Sequence, residues 1–109
     1  MILTFVTFLN VTNVNSIAAK DLEIGKQLFA IHCTACHIGG TNVILPEKNL
    51  QQEVLENNGM NTVSAITYQI LNGKNGMPAF GGRLTEDEIE EIAKYVLIAT
   101  KKNFKENKN

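Results

Sequence analysis

The residues best equipped for chemistry in this chain stand together in one pentapeptide, Cys33-Thr34-Ala35-Cys36-His37. Two cysteines three positions apart project from one turn, and each can form a thioether to a vinyl group of the same ligand. The adjacent histidine then lies beneath that ligand, where an imidazole nitrogen can bind iron. This C-x-x-C-H spacing is the attachment signature of c-type haem, so one covalently attached haem c, with its iron, is the expected cofactor. Three other chemistries use similar residues. A thiol–disulfide module needs a thioredoxin-like βαβ setting, and the sequence shows no strand-rich region. A structural zinc site needs four ligands, and beyond the pentapeptide only His32 is an obvious further donor. A disulfide across so small a loop stabilises little. His32 itself is expected to be a surface residue pointing away from the ring, because adjacent helical positions face different ways.

A second axial ligand has to come from elsewhere in the chain, and the methionines are the natural source. Met77 lies in Asn75-Gly76-Met77-Pro78-Ala79-Phe80, within a segment, 73–82, that holds glycines at 73, 76, 81 and 82. A thioether–iron bond gives such a loop a fixed point, and Pro78 stiffens it. Met60, near a helix start, is the alternative; a core-filling role is the commoner fate of methionine.

The elements that position these residues read as helices. Asp21 to about Cys33 carries Leu22, Gly25, Phe29 and Cys33 at steps of three and four. Gly25 costs about 1 kcal/mol relative to Ala inside a helix, which calls for a reason such as close helix packing. A short amphipathic stretch covers Leu50 to Leu55. Thr62 caps a third helix with Val63, Ile66, Tyr68, Ile70 and Leu71 as its apolar set, ending at Asn72-Gly73. Thr85-Glu86-Asp87-Glu88 has the form of a capping box and opens a helix with Ile89, Ile92, Ala93, Val96 and Leu97 on one face. After Thr100 the chain turns Lys/Asn-rich, and 101–109 reads as a flexible, frayed tail. The result is an all-α domain with long loops and a core small enough to need a non-protein component.

Composition narrows the function. The 109 residues allow one small domain, and 10 Lys+Arg against 11 Asp+Glu argue against a nucleic-acid binder. Two cysteines are too few for a disulfide-rich scaffold. Residues 1–18 carry no charged side chain, and their apolar run falls short of the roughly 20 residues of a membrane span. With small residues at Ser16 and Ala18, they read as an export signal cleaved after Ala18, leaving 19–109 as the monohaem domain. A β-strand over Phe5–Phe8 is the alternative.

Two blocks, C-T-A-C-H-I-G-G and M-N-T-V-S-A-I-T-Y-Q-I-L-N-G-K-N-G-M-P-A-F-G-G-R-L, make the chain resemble the cytochrome c6 family from about Asp21 to Leu97. That family comprises lumenal electron carriers of oxygenic photosynthesis. The resemblance implies a class I cytochrome c fold of about four helices around one haem, with thioethers from Cys33 and Cys36 and axial ligation by His37 and Met77. It implies that Gln69 contacts the haem and keeps its potential high, that Arg83 takes part in docking to photosystem I, and that Lys48 and Lys74 lie near the haem propionates. Gly25, Phe29 and Tyr95 match positions where the terminal helices of such folds cross. The function so implied is not enzymatic. It is one-electron transfer from the cytochrome b6f complex to photosystem I in the thylakoid lumen, plastid or cyanobacterial, by a monomer or weak oligomer. The alternative is a periplasmic cytochrome donating to a respiratory cytochrome oxidase. For Gln69 an exposed helical site, and for Arg83 a surface ion pair, are the plainer readings. The acidic block Glu86–Glu91 reads as a solvated helix face.

Overall fold

A computed structural model describes residues 22–105. Five α-helical segments succeed one another there: α1 over 22–32, α2 over Thr34–His37, α3 over Gln52–Asn57, α4 over Val63–Asn72 and α5 over Glu86–Lys101. Two short 3-10 turns, Ile38–Gly40 and Pro46–Lys48, lie between α2 and α3. No strand occurs among the described residues; the extended contacts are isolated bridges at Lys74–Met77 and Gly81–Leu84. The expected leader, 1–18, and the last part of the expected tail, 106–109, lie outside the described residues.

The long helix α5 starts where its capping box places it. Glu88 N–H donates to Thr85 Oγ1 at 3.1 Å, and Thr85 N–H donates to Glu88 Oε1 at 2.9 Å, so two otherwise orphaned donors are satisfied reciprocally. Its buried face comprises Ile89, Ile92, Ala93, Tyr95, Val96, Ala99 and Thr100, whereas the expected Leu97 is only half-buried. Helix α4 packs on α5 and begins at Thr62, whose hydroxyl accepts from Ala65 N–H at 3.1 Å. It buries Ile66 and Ile70. Tyr68 and Leu71, expected on the same apolar face, are 70% and 38% exposed. The step from Ile66 to Tyr68 turns about 200° around the helix, so one face cannot hold both. Helix α3 starts at Gln52, two residues later than its apolar pattern suggests. Asn49 Oδ1 accepts from Gln51 N–H at 2.9 Å, and Gln51 stays extended.

Helices α1 and α5 cross at Gly25. A Cβ there would run into the carbonyl oxygen of Glu91 and lie 2.9 Å from Tyr95 Cβ. Only a glycine lets the two backbones approach this closely, which accounts for its cost within a helix. One turn on, Phe29 meets Tyr95 with ring centroids 5.3 Å apart. Both rings are buried in the core with Leu55, Ile66, Phe80 and Ile92.

The C-terminal segment corrects the expectation of a frayed end at least as far as Phe104. After Lys101 the helix closes with Phe104 N–H donating to Ala99 O at 2.8 Å and Asn103 N–H to Thr100 O at 3.0 Å. Those bonds, with Asn103 at φ 55°, form a Schellman cap in which Asn takes the position usually given to glycine. The cap swings Phe104 back onto Phe29 and Tyr95, at 5.8 and 6.3 Å between centroids. Its ring seats over Gly40, where a Cβ would come within 2.5 Å of Phe104 Cδ2. A second tie joins α5 to the loop before α3, through a 2.6 Å bond from Thr100 Oγ1 to Leu50 O.

Candidate functional site

The pentapeptide straddles the junction of α1 and α2. Cys33 ends the first helix, its N–H donating to Phe29 O at 2.9 Å, and its carbonyl opens the second by accepting from His37 N–H at 2.9 Å. The chain then reverses through Gly39 and Gly40, and the Thr41 carbonyl comes back to His37 Nδ1 at 2.8 Å. A carbonyl only accepts, so Nδ1 carries the proton and Nε2 of the neutral ring keeps its lone pair. The imidazole is 9% exposed and lines the main cavity of the molecule. Fixing one ring nitrogen on a backbone carbonyl in this way orients the other as a metal ligand.

Burial pushes the Cys33 thiol up to about 11. A thiolate is therefore disfavoured at this position in the folded chain. A thioether has no charged form, so the same burial does not oppose it. The cavity suits the sulfur in its bonded state better than in its ionised one.

Another part of the wall is the loop from Thr41 to Leu50. Asn42 organises it: its Oδ1 accepts from Ile44 N–H at 3.0 Å and Leu45 N–H at 2.8 Å, while its Nδ2 donates to Lys48 O at 3.0 Å. The remaining wall is the glycine-rich segment 73–82. From sequence this segment lacked backbone support; in the fold it has its own. Lys74 N–H donates to Met77 O at 3.0 Å and Met77 N–H to Lys74 O at 2.9 Å, while Phe80 and Gly81 N–H groups donate to Ile70 and Leu71 carbonyls. Gly73, at φ 70°, permits the sharp exit from α4; a Cβ there would lie 2.6 Å from Met77 O. Met77 is thus held by the main chain independently of any ligand. Gln69 Nε2, on α4, lies 3.6 Å from Met77 Sδ, a weak hydrogen bond to a thioether.

Cys33, Cys36, His37, Gln69 and Met77 all line this one cavity of about 460 Å³, a size within the roughly 300–1,000 Å³ of cofactor sites. Met60 lines it too and packs against the core. His32 differs from expectation. It is half-buried, lines the same cavity, and meets Phe80 edge-on at 6.2 Å, because the helix breaks at Cys33 and the chain wraps around the space beside it. Arg83 makes no ion pair among the described residues; its guanidinium lies over the Phe80 ring, 4.7 Å from the centroid. Lys48, Lys74 and Arg83 line the cavity, and among the described residues no Asp or Glu does. Among the described residues, no group of three or more His, Cys, Asp or Glu side chains is placed to hold a metal ion.

An iron-bearing apolar ring with two peripheral carboxylates fits this environment. Apolar walls, cationic side chains, one oriented imidazole and the Met77 thioether sulfur meet in a single space.

The chain matches the family model described as cytochrome c oxidase, cbb3-type, subunit III, over residues 20–96. It is 57% identical over 84 residues to cytochrome c6 of Bumilleriopsis filiformis, an alignment covering 77% of this chain and 98% of that protein. Cytochrome c6 of Pyropia yezoensis is 55% identical over 86 residues, covering 79% of this chain and 78% of the other. The chain belongs to the cytochrome c6 family. The solved cytochrome c6 of the diatom Phaeodactylum tricornutum superposes with a TM-score of 0.73 at 46% identity, covering 75% of this chain and 97% of that one. The all-α class I cytochrome c fold follows, and with it a covalently bound haem c and its iron. As a member of the cytochrome c6 family the chain is a c-type cytochrome electron carrier. No helix among the described residues is long and apolar enough to cross a membrane.

Two residues of the site escape a sequence reading that weighs only ligands. Asn42 is signalled by an Asx turn, a side-chain oxygen bonding N–H groups two and three residues on. Phe80 is signalled only by its place after Met77-Pro78; that it is 6% exposed and carries Arg83 is a tertiary fact.

Proposed function

We propose that this chain carries single electrons from the cytochrome b6f complex to photosystem I in the thylakoid lumen. In this reading Cys33 and Cys36 would hold the haem by thioethers, and His37 Nε2 and Met77 Sδ would be the two side-chain ligands of its iron. When bound, the group supplies a one-electron iron couple, which a soft thioether biases toward the ferrous state. The observation that carries the reading is the meeting of an oriented imidazole and a thioether sulfur in one cavity beside C-x-x-C-H. With His37 and Met77 both serving as iron ligands, the site would favour electron transfer over catalysis.

The chain's own residues set the conditions of transfer. His37 is fixed by Thr41 O, and Met77 by the 74–77 hairpin, so little has to move when the charge changes. Gln69 donates to the Met77 sulfur and tunes the potential. Arg83, exposed at the cavity and held on Phe80, is the docking cation for photosystem I. Docking of this kind is brief and uses a small interface, by a monomer or weak oligomer. Residues 1–18 act as the export signal, with 19–109 as the working domain. A second reading, donation to a respiratory oxidase, is supported by the family-model match over 20–96.

Flash-induced re-reduction of photosystem I with this protein as donor, set beside turnover of a respiratory oxidase, tests the proposal. Rapid re-reduction is the expected result. Efficient oxidase turnover with negligible photosystem I re-reduction overturns it in favour of the second reading.

A further inference from the structure

Three Asn-Gly pairs stand in the described chain: Asn58-Gly59, Asn72-Gly73 and Asn75-Gly76. Such pairs undergo amide loss with the least steric hindrance, since glycine has no side chain shielding its nitrogen. The glycine nitrogen attacks the asparagine Cγ, that nitrogen's proton leaves with the side-chain amide as ammonia, and a cyclic imide forms. Water then opens the imide at one carbonyl or the other, giving Asp or isoAsp. No oxidant or reductant takes part. Hydrogen bonds that hold the glycine N–H or the asparagine amide oppose the first step.

The three pairs differ in those bonds. Gly59 N–H donates to Glu56 O at 3.1 Å, and the Asn58 side chain donates to Val54 O at 2.9 Å and accepts from Lys48 Nζ at 3.3 Å. Gly73 N–H donates to Gln69 O at 2.8 Å, and Asn72 Nδ2 donates to Tyr68 O at 3.0 Å. At the third pair, neither Gly76 N–H nor the Asn75 side chain has a hydrogen-bond partner among the described residues, and Asn75 is exposed.

Backbone conformation separates the third pair further. Asn75 and Gly76 are the two central residues of the hairpin closed by Lys74 and Met77. Asn75 has φ 54°, whereas Gly76 is not in the positive-φ region. That is the type II′ arrangement, whose first central position ordinarily belongs to glycine. Being the mirror image of type II, it has ψ of about −120° there, the backbone sense that an imide ring at the same residue also adopts. Ring closure therefore preserves the turn. Packing keeps glycine at 76, where a Cβ would lie 3.0 Å from Ile44 Cγ2.

We propose that Asn75 is a site of spontaneous deamidation on the wall of the haem cavity. Either product puts a carboxylate into a lining that, among the described residues, holds Lys74 and Arg83 and no acid. IsoAsp also adds one methylene to the main chain two residues ahead of Met77. On the reading of Met77 as an iron ligand, ageing at Asn75 alters the charge of the cavity and the ligand loop together. The modification itself does not depend on which partner receives the electron.

The test is to hold the haem-loaded full-length protein in mildly alkaline buffer, alongside a sample in denaturant, and to map Asp and isoAsp by peptide mass spectrometry. In the folded protein, conversion at 75 is expected to exceed that at 58 and 72 by roughly tenfold, because the other two pairs must first break two or more hydrogen bonds. In denaturant the three rates converge. Equal or faster conversion at 58 or 72 in the folded protein overturns the proposal. Asn75→Gly, which suits the turn, is expected to abolish the fast conversion. A fast-converting species that persists in this variant equally overturns it. Because the readout is covalent mass, failure of the photosystem I assay leaves this test intact.

Discussion

The crossing of α1 and α5 and the wall made by residues 73–83 are organised in opposite ways. At the crossing, stability comes from burial: Gly25 lets two backbones touch, and Phe29, Tyr95 and Phe104 fill the space around it. Such contacts are non-directional and sum over many atoms. Along the 73–83 wall few side chains are buried, and backbone hydrogen bonds set the shape, with Phe80 buried in the core and Met77 packed against it. The first region holds the fold; the second places single atoms, Met77 Sδ and the Arg83 guanidinium. Substitutions at the crossing should therefore move stability with little effect on redox behaviour, and substitutions in the wall should do the reverse.

The largest effect is expected at Gly25. Gly25→Ala drives a methyl group into the Glu91 carbonyl, at a cost of about 3 kcal/mol by the measure of overpacked cores. Thermal melting followed by circular dichroism should fall by on the order of 15 °C for a domain of this size. Retention of the parent melting temperature would show that the helices can separate freely there. Next comes Met77→Ala, expected to remove the sulfur–iron charge-transfer band of the ferric protein. The midpoint potential should drop by on the order of 100 mV, about 2.3 kcal/mol for one electron. If Met60→Ala does this instead, the axial assignment belongs to Met60.

Phe104→Ala should cost about 2 kcal/mol, less than a fully buried ring because Phe104 is only half-buried. Urea titration reads that loss, and an unchanged potential in the same variant keeps Phe104 on the structural side of the comparison. The smallest shift is expected at Gln69→Val. Loss of one weak donor to sulfur should lower the potential by roughly tens of millivolts, about 1 kcal/mol of hydrogen bonding, with haem retained. A potential unaltered in that variant removes Gln69 from the tuning of the site.

Legibility from sequence follows the same division. The capping boundary at Thr85 and the face through Ile89, Ile92, Ala93 and Val96 are local patterns, and the fold repeats them. Tyr68 misleads because it interrupts the helical period of α4 with an apolar type on the exposed side. The end of the chain misleads more. A run of Lys and Asn reads as solvated, yet Asn103 can adopt the left-handed cap and Phe104 has a seat, both visible only once Gly40 and Phe29 are nearby. His32 misleads for a related reason: its direction depends on the helix break at Cys33, which no periodicity announces.

Cys33, Cys36 and His37 are close in sequence, so their spacing alone specified the kind of chemistry and its cofactor. Helix positions followed from side-chain period and capping, which act within a few residues. Tertiary structure alone decided that Met77, 40 positions beyond His37 in the numbering, shares its cavity, and that Gln69 donates to its sulfur. It also decided which of three identical Asn-Gly pairs has neither its side-chain amide nor its glycine N–H hydrogen-bonded among the described residues. Hydrogen-bond partners and cavity walls come from segments distant in the chain, and their meeting is set by how the helices pack.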